Sequence, residues 1–369
     1  MTSLRVGIIG GGFMARTHAQ AARRAGGTVC SVLSSSPEST VRAATQLGAS
    51  PVASLTELLE TSEIVHVTSP NSLHAEHALA VLQANKPVIC EKPLGVDFTQ
   101  ASALASAAMQ AGMLATVPFV YRFHPMARQA RAMVANGHLG RLLTVRGAYL
   151  QDWLLGSQEV NWRVDETSGG PSRAFADIGS HLVDLTEFIA GERITELQST
   201  TSIAHEHRAG RKVRTEDAAV LTVRFSSGAL GSLMVSQVNA GRKNALSLEL
   251  SGTEHAIEFQ QERPDELWIG GAESNRVLAR DAAILEPDAA RLSTIPAGHP
   301  MGYLDAFAAF VADSYAALGG ERPEGLPTFA DGARAALLTD AVLCSAAERT
   351  WVSVDDHRPE ATGPTKEPA

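Results

Sequence analysis

The sequence RVGIIGGGFMAR, from Arg5 to Arg16, joins an apolar run to a triple-glycine turn and then to a stretch that favours a helix. Gly10, Gly12 and Ala15 fit the spacing G-x-G-x-x-[G/A]. The first glycine permits a tight turn, the second lets the backbone approach a pyrophosphate, and the small third residue lets the helix pack on the strand. Because a helix N-terminus also attracts anions, this stretch predicts a dinucleotide-binding loop. A glycine-rich turn without a ligand is the alternative interpretation.

The rest of the first third alternates short apolar runs with helical stretches. This alternation predicts parallel βαβ units, and the continuous apolar character of the runs fits strands that are buried on both faces. The predicted strands are residues 4–9, 29–33, 64–67, 88–90 and 114–117. The predicted helices are residues 13–25, 38–47, 73–84 and 98–111.

The pattern changes near residue 120, where strand-like segments with short turns begin to dominate and predict an antiparallel sheet. The predicted strands are residues 141–151, 194–203, 217–225, 229–238, 245–251 and 255–260, and the predicted helices are 125–136, 177–190, 302–318 and 329–349. We therefore expect a dinucleotide-binding domain over residues 1–122 and an α/β domain over 123–354. The polar, Pro-rich residues 355–369 are expected to be a disordered tail.

Composition excludes several classes of protein. The 369 residues have a formal net charge of −9, and binding to nucleic acid needs a basic surface. The sequence contains neither a run of about 20 apolar residues nor a secretory signal pattern, so we expect a cytoplasmic protein without a membrane partner. The three cysteines are odd in number and far apart, which supports neither a disulfide framework nor a zinc site.

The end of the second predicted strand bears on the choice of dinucleotide. An acidic residue at this position would bind the ribose of NAD, but the chain has Ser34, Ser35 and Ser36, followed by Pro37 and Glu38. Three hydroxyls without a repelling carboxylate would tolerate a 2′-phosphate. We expect NAD or NADP, with a slight preference for NADP.

Lys92 stands out because the chain has only five lysines and this one follows the apolar run 88–90 in the sequence CEKP, Cys90 to Pro93. Ligands of open α/β sheets bind outside the carboxyl ends of the strands. An ammonium there could donate a hydrogen bond to a substrate hydroxyl or relay a proton. A lysine in a surface turn is the alternative.

A third pattern places Asp177, His181 and Asp184 at helical spacing, so that all three are predicted to share one face of a helix. A histidine beside a carboxylate suits general-base catalysis near neutral pH. Two alternatives remain: Asp177 as a helix cap with His181 in the core, or a metal site whose third ligand is unidentified.

These patterns together resemble the Gfo/Idh/MocA family of nicotinamide-dependent oxidoreductases over about residues 4–350. The matching pieces are Gly10-x-Gly12-x-x-Ala15, Thr68-Ser69-Pro70-Asn71 with His74, Glu91-Lys92-Pro93, Tyr121-Arg122-Phe123-His124-Pro125, Trp162-Arg163 and Asp177-x-x-x-His181-x-x-Asp184.

The resemblance implies an α/β fold with an N-terminal Rossmann domain and a C-terminal domain that has a large, mostly antiparallel open sheet. It implies an active site between the domains and a homodimer or homotetramer formed through the open sheet. Lys92 would contact the reacting hydroxyl, His181 would be the acid/base, and Asp177 would orient the substrate. The implied cofactor-binding residues are Gly10, Gly12, Phe13, Met14, Ser34, Ser35, Ser36, Thr68, Pro70, Asn71, His74, Glu91, Lys92, Arg122, Trp162 and Arg163.

A local concentration of aromatic and amide side chains suggests the substrate. Tyr149, Gln151 and Trp153 together suit a sugar ring, which has apolar faces and hydroxyl edges, although they could instead pack the edge of the sheet. Arg163, from the matching piece Trp162-Arg163, is a further candidate. Arg173 is another, because the loop Gly169-Gly170-Pro171-Ser172-Arg173 stands where many family members have a glycine triplet, and its side chain is expected to point into the pocket. With Lys92, Asp177 and His181, these residues form the expected substrate site.

We therefore expect hydride transfer between a nicotinamide and a secondary hydroxyl or ketone of a sugar, anhydrosugar or cyclic polyol. The alternatives are an NAD-dependent enzyme that cleaves glycosides by transient oxidation, and a non-catalytic regulator that senses dinucleotides.

Overall fold

The computed structural model describes residues 3–354. The tail expected over residues 355–369 lies outside these residues. Two β-sheets organise the chain. The first has six strands and the second has nine, and a two-stranded hairpin stands apart from both.

The first sheet is entirely parallel, in the order β3-β2-β1-β4-β5-β6. This order reverses between β1 and β4, which creates the crevice where dinucleotides bind in such folds. The strands are β1 (Arg5–Ile9), β2 (Thr28–Leu33), β3 (Ser50–Pro51), β4 (Ile64–Val67), β5 (Val88–Cys90) and β6 (Ala115–Thr116). The helices are α1 (Phe13–Arg24), α2 (Pro37–Leu47), α3 (Leu55–Thr61), α4 (His74–Gln83) and α5 (Phe98–Ala111).

The second part of the chain is built around the nine-stranded sheet. Its helices are α6 (Pro125–Ala135), α7 (Glu166–Gly169), α8 (Ser180–Ala190), α9 (Pro287–Leu292), α10 (Tyr303–Leu318) and α11 (Phe329–Glu348). Its strands are β7 (Leu142–Leu150), β8 (Ile194–Ser202), β9 (His207–Arg208), β10 (Arg211–Lys212), β11 (Ala218–Phe225), β12 (Leu230–Ser236), β13 (Ala245–Gly252), β14 (His255–Gln260), β15 (Glu266–Gly271), β16 (Asn275–Ala279) and β17 (Val352–Ser353).

The order of the large sheet is β16-β15-β14-β13-β7-β12-β11-β8-β17. All neighbours are antiparallel except β7 and β12, which run parallel. Buried and more exposed residues alternate along β11 and β13, so one face packs against helices and the other is open. The predicted fold class, with a parallel sheet followed by a mostly antiparallel open one, is confirmed.

The last long helices connect the two parts. Phe307 and Phe310 of α10 share a core with Val6 and Ile8 of β1 and with buried alanines of α1. Helix α11 places Phe329 and neighbouring alanines against α5 and the other side of the first sheet. The chain therefore returns to the dinucleotide domain near its end, and a boundary at residue 122 stays a proposal.

Two features are not found within residues 3–354. No helix in this range is long and apolar enough to cross a membrane. Nor does this range contain a group of three or more His, Cys, Asp or Glu side chains arranged to hold a metal ion.

Candidate active site

A cleft of about 530 Å³ lies at the carboxyl ends of β1, β2, β4 and β5. Gly10 enters it with φ +118°, and a Cβ added there would lie 2.4 Å from the Thr68 hydroxyl oxygen, so the turn requires glycine. A Cβ on Gly12 would meet no atom of residues 3–354 within 4 Å. Open space therefore lies in front of this backbone segment. Among the residues predicted to bind cofactor, Gly10, Gly12, Phe13, Met14, Ser34, Ser35, Thr68, Pro70, Asn71, His74, Glu91, Lys92, Trp162 and Arg163 line the cleft.

The start of α1 at this cleft fits a phosphate group. Within residues 3–354, no side chain caps its N-terminus, and no acidic residue lies in its first turn. The free N–H groups and the positive end of the helix dipole can therefore accept an anion. The open space at Gly12 and this uncapped helix end are the features that a pyrophosphate needs.

Two of the three serines predicted at the ribose end of the cleft lie there. Ser34 and Ser35 line it. Ser36 does not, because its hydroxyl caps α2 by accepting a hydrogen bond from the Ser39 amide at 3.2 Å. The prediction that Ser36 binds cofactor is corrected accordingly, since its side chain is already used by the helix.

His74 joins the two turns that form the far wall of the cleft. Its Nδ1 lies 2.7 Å from the Pro93 carbonyl oxygen, and its Nε2 lies 2.8 Å from the Ser69 carbonyl oxygen. The adjacent Asn71 amide donates across to the Gly169 carbonyl at 3.0 Å. These contacts fix the loops after β4 and β5 relative to each other and to the second part of the chain.

A smaller cavity of about 350 Å³ adjoins the cleft and shares Phe13, Met14, Glu91, Lys92 and Arg163 with it. Inside it, the Lys92 ammonium donates to the Asp177 backbone oxygen at 2.7 Å and to Asp177 Oδ1 at 2.9 Å. The other carboxylate oxygen accepts from Gln237 Nε2 at 2.8 Å. Burial alone would raise the pKa of Asp177, but the charges of Lys92 and Arg163 outweigh it, and the pKa lies below its ordinary value. Asp177 is therefore ionised.

Asp177 lies in a single π-helical turn, Phe175–Gly179, that leads directly into α8. A Cβ on Gly179 would lie 2.5 Å from the Phe175 ring, so the turn depends on glycine at this position. Such turns insert an extra residue into a helix and recur at functional sites. The predicted continuous helix over 177–190 is corrected to a π turn followed by α8.

His181 is 8% exposed and lines the same cavity. Phe119 and Tyr121 contact its ring edge-to-face, with centroid distances of 5.8 and 5.0 Å. Its Nδ1 is buried without a hydrogen-bond partner among the described residues, which leaves Nε2 as the nitrogen that can meet a substrate. Burial and then the nearby Lys92 charge lower its pKa well below the ordinary value, so the imidazole is neutral.

A polar network forms another wall of the cavity. The hydroxyls of Tyr121 and Tyr149 bond to each other, and Tyr149 donates to Asn244 Oδ1 at 2.7 Å. Asn244 Nδ2 donates back to the Tyr121 hydroxyl at 3.2 Å, and Gln151 Nε2 donates to Asn244 Oδ1 at 2.9 Å. Trp153 does not line the cavity; its Nε1 donates to Gln151 Oε1 at 2.8 Å and so supports that amide.

The sequence patterns did not predict three residues of this site. Two of them, Asn244 and Tyr303, line the cavity, and the third, Gln237, donates to Asp177. Asn244 and Gln237 lie just after β12 and before β13, in a segment without a motif. Only their position at the same end of the sheet as Tyr149 could have suggested them.

Arg122 and Asp184 are not part of this site. The Arg122 guanidinium pairs with Asp184 and with Asp331, at 2.8 Å from the latter. This cluster lines a separate cavity of about 670 Å³ on the other side of α8. Arg122 was predicted to bind cofactor, but two carboxylates hold its guanidinium and it does not line the dinucleotide cleft. Asp184 follows His181 by three residues within α8, but its carboxylate pairs with Arg122 and does not line the cavity that contains His181.

Arg173 also lies outside the cavity. It is 1% exposed, and its guanidinium pairs with the buried Asp217, which also accepts from Arg208 at 2.7 Å. Arg173 was expected to point into the substrate pocket. The structure corrects this expectation, because the ion pair holds the side chain in the protein interior.

Known proteins share the sequence pattern and the fold of this chain. One family model, described as "Oxidoreductase family, NAD-binding Rossmann fold", matches residues 4–119, and another, described as "GFO/IDH/MocA C-terminal domain", matches residues 127–258. Levoglucosan dehydrogenase from Pseudarthrobacter phenanthrenivorans is 30% identical, over 96% of this chain and 99% of that protein. Glucose-6-phosphate 3-dehydrogenase from Bacillus subtilis is 27% identical over 69% of this chain and 73% of that protein.

Solved structures extend the likeness to three dimensions. Levoglucosan dehydrogenase in complex with NADH and L-sorbose superimposes with a TM-score of 0.89, covering 96% of this chain and 99% of that one at 30% identity. An inositol dehydrogenase homologue from Azotobacter vinelandii, in complex with NADH and myo-inositol, superimposes with a TM-score of 0.83. The match covers 95% of this chain and 98% of that one, at 26% sequence identity. With its NAD-binding Rossmann domain and its matching second domain, the chain belongs to the Gfo/Idh/MocA family of oxidoreductases.

Proposed function

We propose that this oxidoreductase transfers a hydride between a nicotinamide cofactor and a secondary hydroxyl or ketone of a sugar, anhydrosugar or cyclic polyol. The observation that carries the proposal is the meeting of Lys92, Asp177 and His181 in a cavity that opens into the dinucleotide cleft. The relatives named above act on compounds of this kind.

The roles of the residues follow from their geometry. A substrate hydroxyl placed near Lys92 would accept a hydrogen bond from the ammonium, which Asp177 holds in place at 2.9 Å. His181 is neutral and presents Nε2, so it can take the hydroxyl proton as the carbinol carbon is oxidised. The cofactor, when bound, accepts or supplies the hydride. The protein positions the two reactants and handles the proton.

The substrate class is suggested by the polar network that forms another wall of this cavity. Tyr149, Gln151 and Asn244 form a fixed set of hydroxyl and amide groups, while the tyrosine rings offer apolar faces. A ring with several hydroxyls matches both features. We assign Tyr121 and Asn244 to substrate binding together with Tyr149, Gln151 and Arg163.

For the cofactor, we propose that the cleft accepts NADP as well as NAD. Ser34 and Ser35 at its ribose end carry no charge that would repel a 2′-phosphate, which favours NADP. The NADH complexes of the relatives favour NAD. Steady-state rates with both dinucleotides test this proposal, and strict rejection of NADP would contradict it.

We further propose that copies of the chain associate through the open face of the large sheet. Val220 of β11 and Met234 of β12 are cross-strand partners on this face and are 51% and 36% exposed. Association would remove their apolar surface from water. Light scattering after size-exclusion chromatography should show a dimer or tetramer, and Val220→Lys should reduce it. A monomeric wild-type protein would overturn the proposal.

The central experiment is a substrate panel. Anhydrosugars, pyranoses and inositols are each offered with NAD and with NADP, and formation of the reduced nicotinamide is followed by absorbance. Oxidation of at least one member supports the proposal. Release of a free sugar from a glycoside without net cofactor reduction would instead indicate cleavage by transient oxidation. Tight dinucleotide binding without turnover of any member would favour a sensing role.

A further inference from the structure

Behind Glu91, three side chains from three separate elements form a continuous row of hydrogen bonds that ends on its carboxylate. Tyr315 of α10 bonds through its hydroxyl to His66 Nε2 of β4 at 3.1 Å. His66 Nδ1 lies 3.0 Å from His18 Nδ1 of α1, and His18 Nε2 lies 3.0 Å from Glu91 Oε1. Both histidines are 0% exposed, and Glu91 is 5% exposed.

One assignment of protons satisfies every hydrogen bond between Tyr315 and Glu91. Burial raises the pKa of Tyr315, so the phenol stays a donor and His66 Nε2 accepts. Burial and then the neighbouring His18 lower the pKa of His66 well below its ordinary value, so this ring is neutral and donates through Nδ1. His18 then accepts at Nδ1 and donates through Nε2 to Glu91. All donors point toward the carboxylate.

The carboxylate that receives these bonds is tied at both oxygens. Glu91 Oε1 accepts from His18, and Oε2 accepts from the Lys92 backbone amide at 3.1 Å. Burial alone would raise the pKa of Glu91, but the hydrogen bond and the electrostatic interaction with His18, and then the nearby charge of Lys92, outweigh it, and the pKa lies below its ordinary value. The residue is therefore a buried anion. The other titratable groups that face it are His74 of α4 and Tyr303 of α10.

Glu91 is also one of the few residues that line both the dinucleotide cleft and the substrate cavity. It therefore lies where the two reactants meet. An oxidised nicotinamide ring carries a positive charge, and the reduced ring is neutral. A fixed negative charge in surroundings of low dielectric constant interacts with the first form and not with the second.

We propose that Tyr315, His66 and His18 are positioning residues that hold Glu91 as an anion at this junction, and that its charge favours binding of the oxidised dinucleotide over the reduced one. This inference rests on the proposed function, because it requires that a nicotinamide dinucleotide occupies the cleft.

The test measures binding of NAD⁺ and NADH, each by calorimetric titration of the protein without substrate. Glu91→Gln keeps the shape of the side chain and removes its charge. We expect this variant to weaken NAD⁺ binding about tenfold relative to NADH, a modest share of the attraction between nearby unit charges in a partly buried site. A loss that is equal for both cofactors would indicate packing alone and would overturn the proposal.

Variants of the hydrogen-bonded residues behind Glu91 test whether these residues hold its charge in place. His18→Leu removes the donor to Glu91 and should shift the ratio of the two dissociation constants in the same direction as Glu91→Gln. His18→Gln can still donate and should restore much of the wild-type ratio. Tyr315→Phe removes one oxygen, preserves the ring, and should shift the ratio by a smaller factor. His255→Gln, which loses a histidine hydrogen bond on the distant strand β14, is the matched control.

The outcomes separate this inference from the proposed function. If the wild-type protein binds neither dinucleotide, the proposed function fails and the inference fails with it. If it binds both and the ratio is unchanged in Glu91→Gln and His18→Leu, only the inference is overturned.

Discussion

The ammonium of Lys92 and the carboxylate of Asp177 meet at 2.9 Å although 85 residues separate them in the chain. One follows a strand of the parallel sheet, and the other lies in the π turn before α8. A second bond, from the same ammonium to the Asp177 backbone oxygen, fixes the lysine in the cavity. The contact assembles the reactive groups from both parts of the molecule.

Removing either partner should impair the reaction. Lys92→Met and Asp177→Asn should each lower kcat by about 10²-fold or more, as expected for groups that position or transfer a proton. Lys86→Met is the matched control, because Lys86 donates to the Ser62 backbone oxygen outside the cavity. Rates near that of the wild type in both variants, measured with a true substrate, would remove these residues from the mechanism.

The acid side of the pH profile should report on His181. Burial and then Lys92 lower its pKa, so the imidazole stays neutral, and the rate of oxidation should decline only well below pH 6.5. Lys92 disfavours the protonated ring, and its removal therefore raises the pKa of His181. The residual activity of Lys92→Met should accordingly be lost at a higher pH than that of the wild type. A profile of log kcat/KM against pH measures this, and a shift to lower pH would contradict it.

Two glycine variants should separate folding from cofactor binding. Gly12→Ala adds a methyl group into open space at a φ of −85° that alanine accepts, so the thermal stability should stay near that of the wild type. That methyl group would obstruct a phosphate at the start of α1. Loss of one hydrogen bond to a charged group, about 1.5–3 kcal/mol, would weaken dinucleotide binding about tenfold or more.

Gly10→Ala is the contrasting change. Its Cβ would come within 2.4 Å of the Thr68 hydroxyl oxygen, at a φ of +118° that favours glycine. We expect a lower melting temperature as well as weaker binding. Equal stability of the two variants in a thermal unfolding scan would be inconsistent with the described turn.

The buried ion cluster around Asp217 should matter for stability and not for substrate choice. Asp217→Ala leaves the guanidiniums of Arg173 and Arg208 buried without their anion, a change that typically costs about 3–5 kcal/mol. Arg173→Met should cost less, because Arg208 still pairs with Asp217. Denaturant unfolding measures both changes. A large change in substrate KM for Arg173→Met, without loss of stability, would restore Arg173 to the substrate site.

The sequence predicted the elements whose signal is local. The strands at Ile64–Val67 and Val88–Cys90 and the helix at Phe98–Ala111 have the expected bounds, because an uninterrupted apolar run or a helical repeat defines each. Strand β3 and helix α3 were not predicted. Two residues of strand carry no periodicity, and β3 is stabilised by pairing with β2 instead. Strands β15 and β16 at the sheet edge were missed as well.

Site residues that belong to a short sequence pattern could be predicted. The role of a residue could not be predicted where it depends on an ion-pair partner far along the sequence. Lys92 and His181 lie within recognisable patterns. Arg122 and Arg173 looked equally available, but Asp331 and Asp217 hold them, and these partners follow 209 and 44 residues later. A single sequence does not show such pairings. Asn244 joins the cavity only through the sheet register that brings it near Tyr149.

The packing of α10 on the first sheet has a consequence for how the molecule can be divided. Phe307 and Phe310 fill the core beside Val6 and Ile8, yet they lie about 300 residues further along the chain. A fragment that ends near residue 122 would leave this part of its apolar core open to water. The dinucleotide domain can therefore complete its core only after nearly the whole chain has been synthesised. A transplant into another protein must take the C-terminal helices with it.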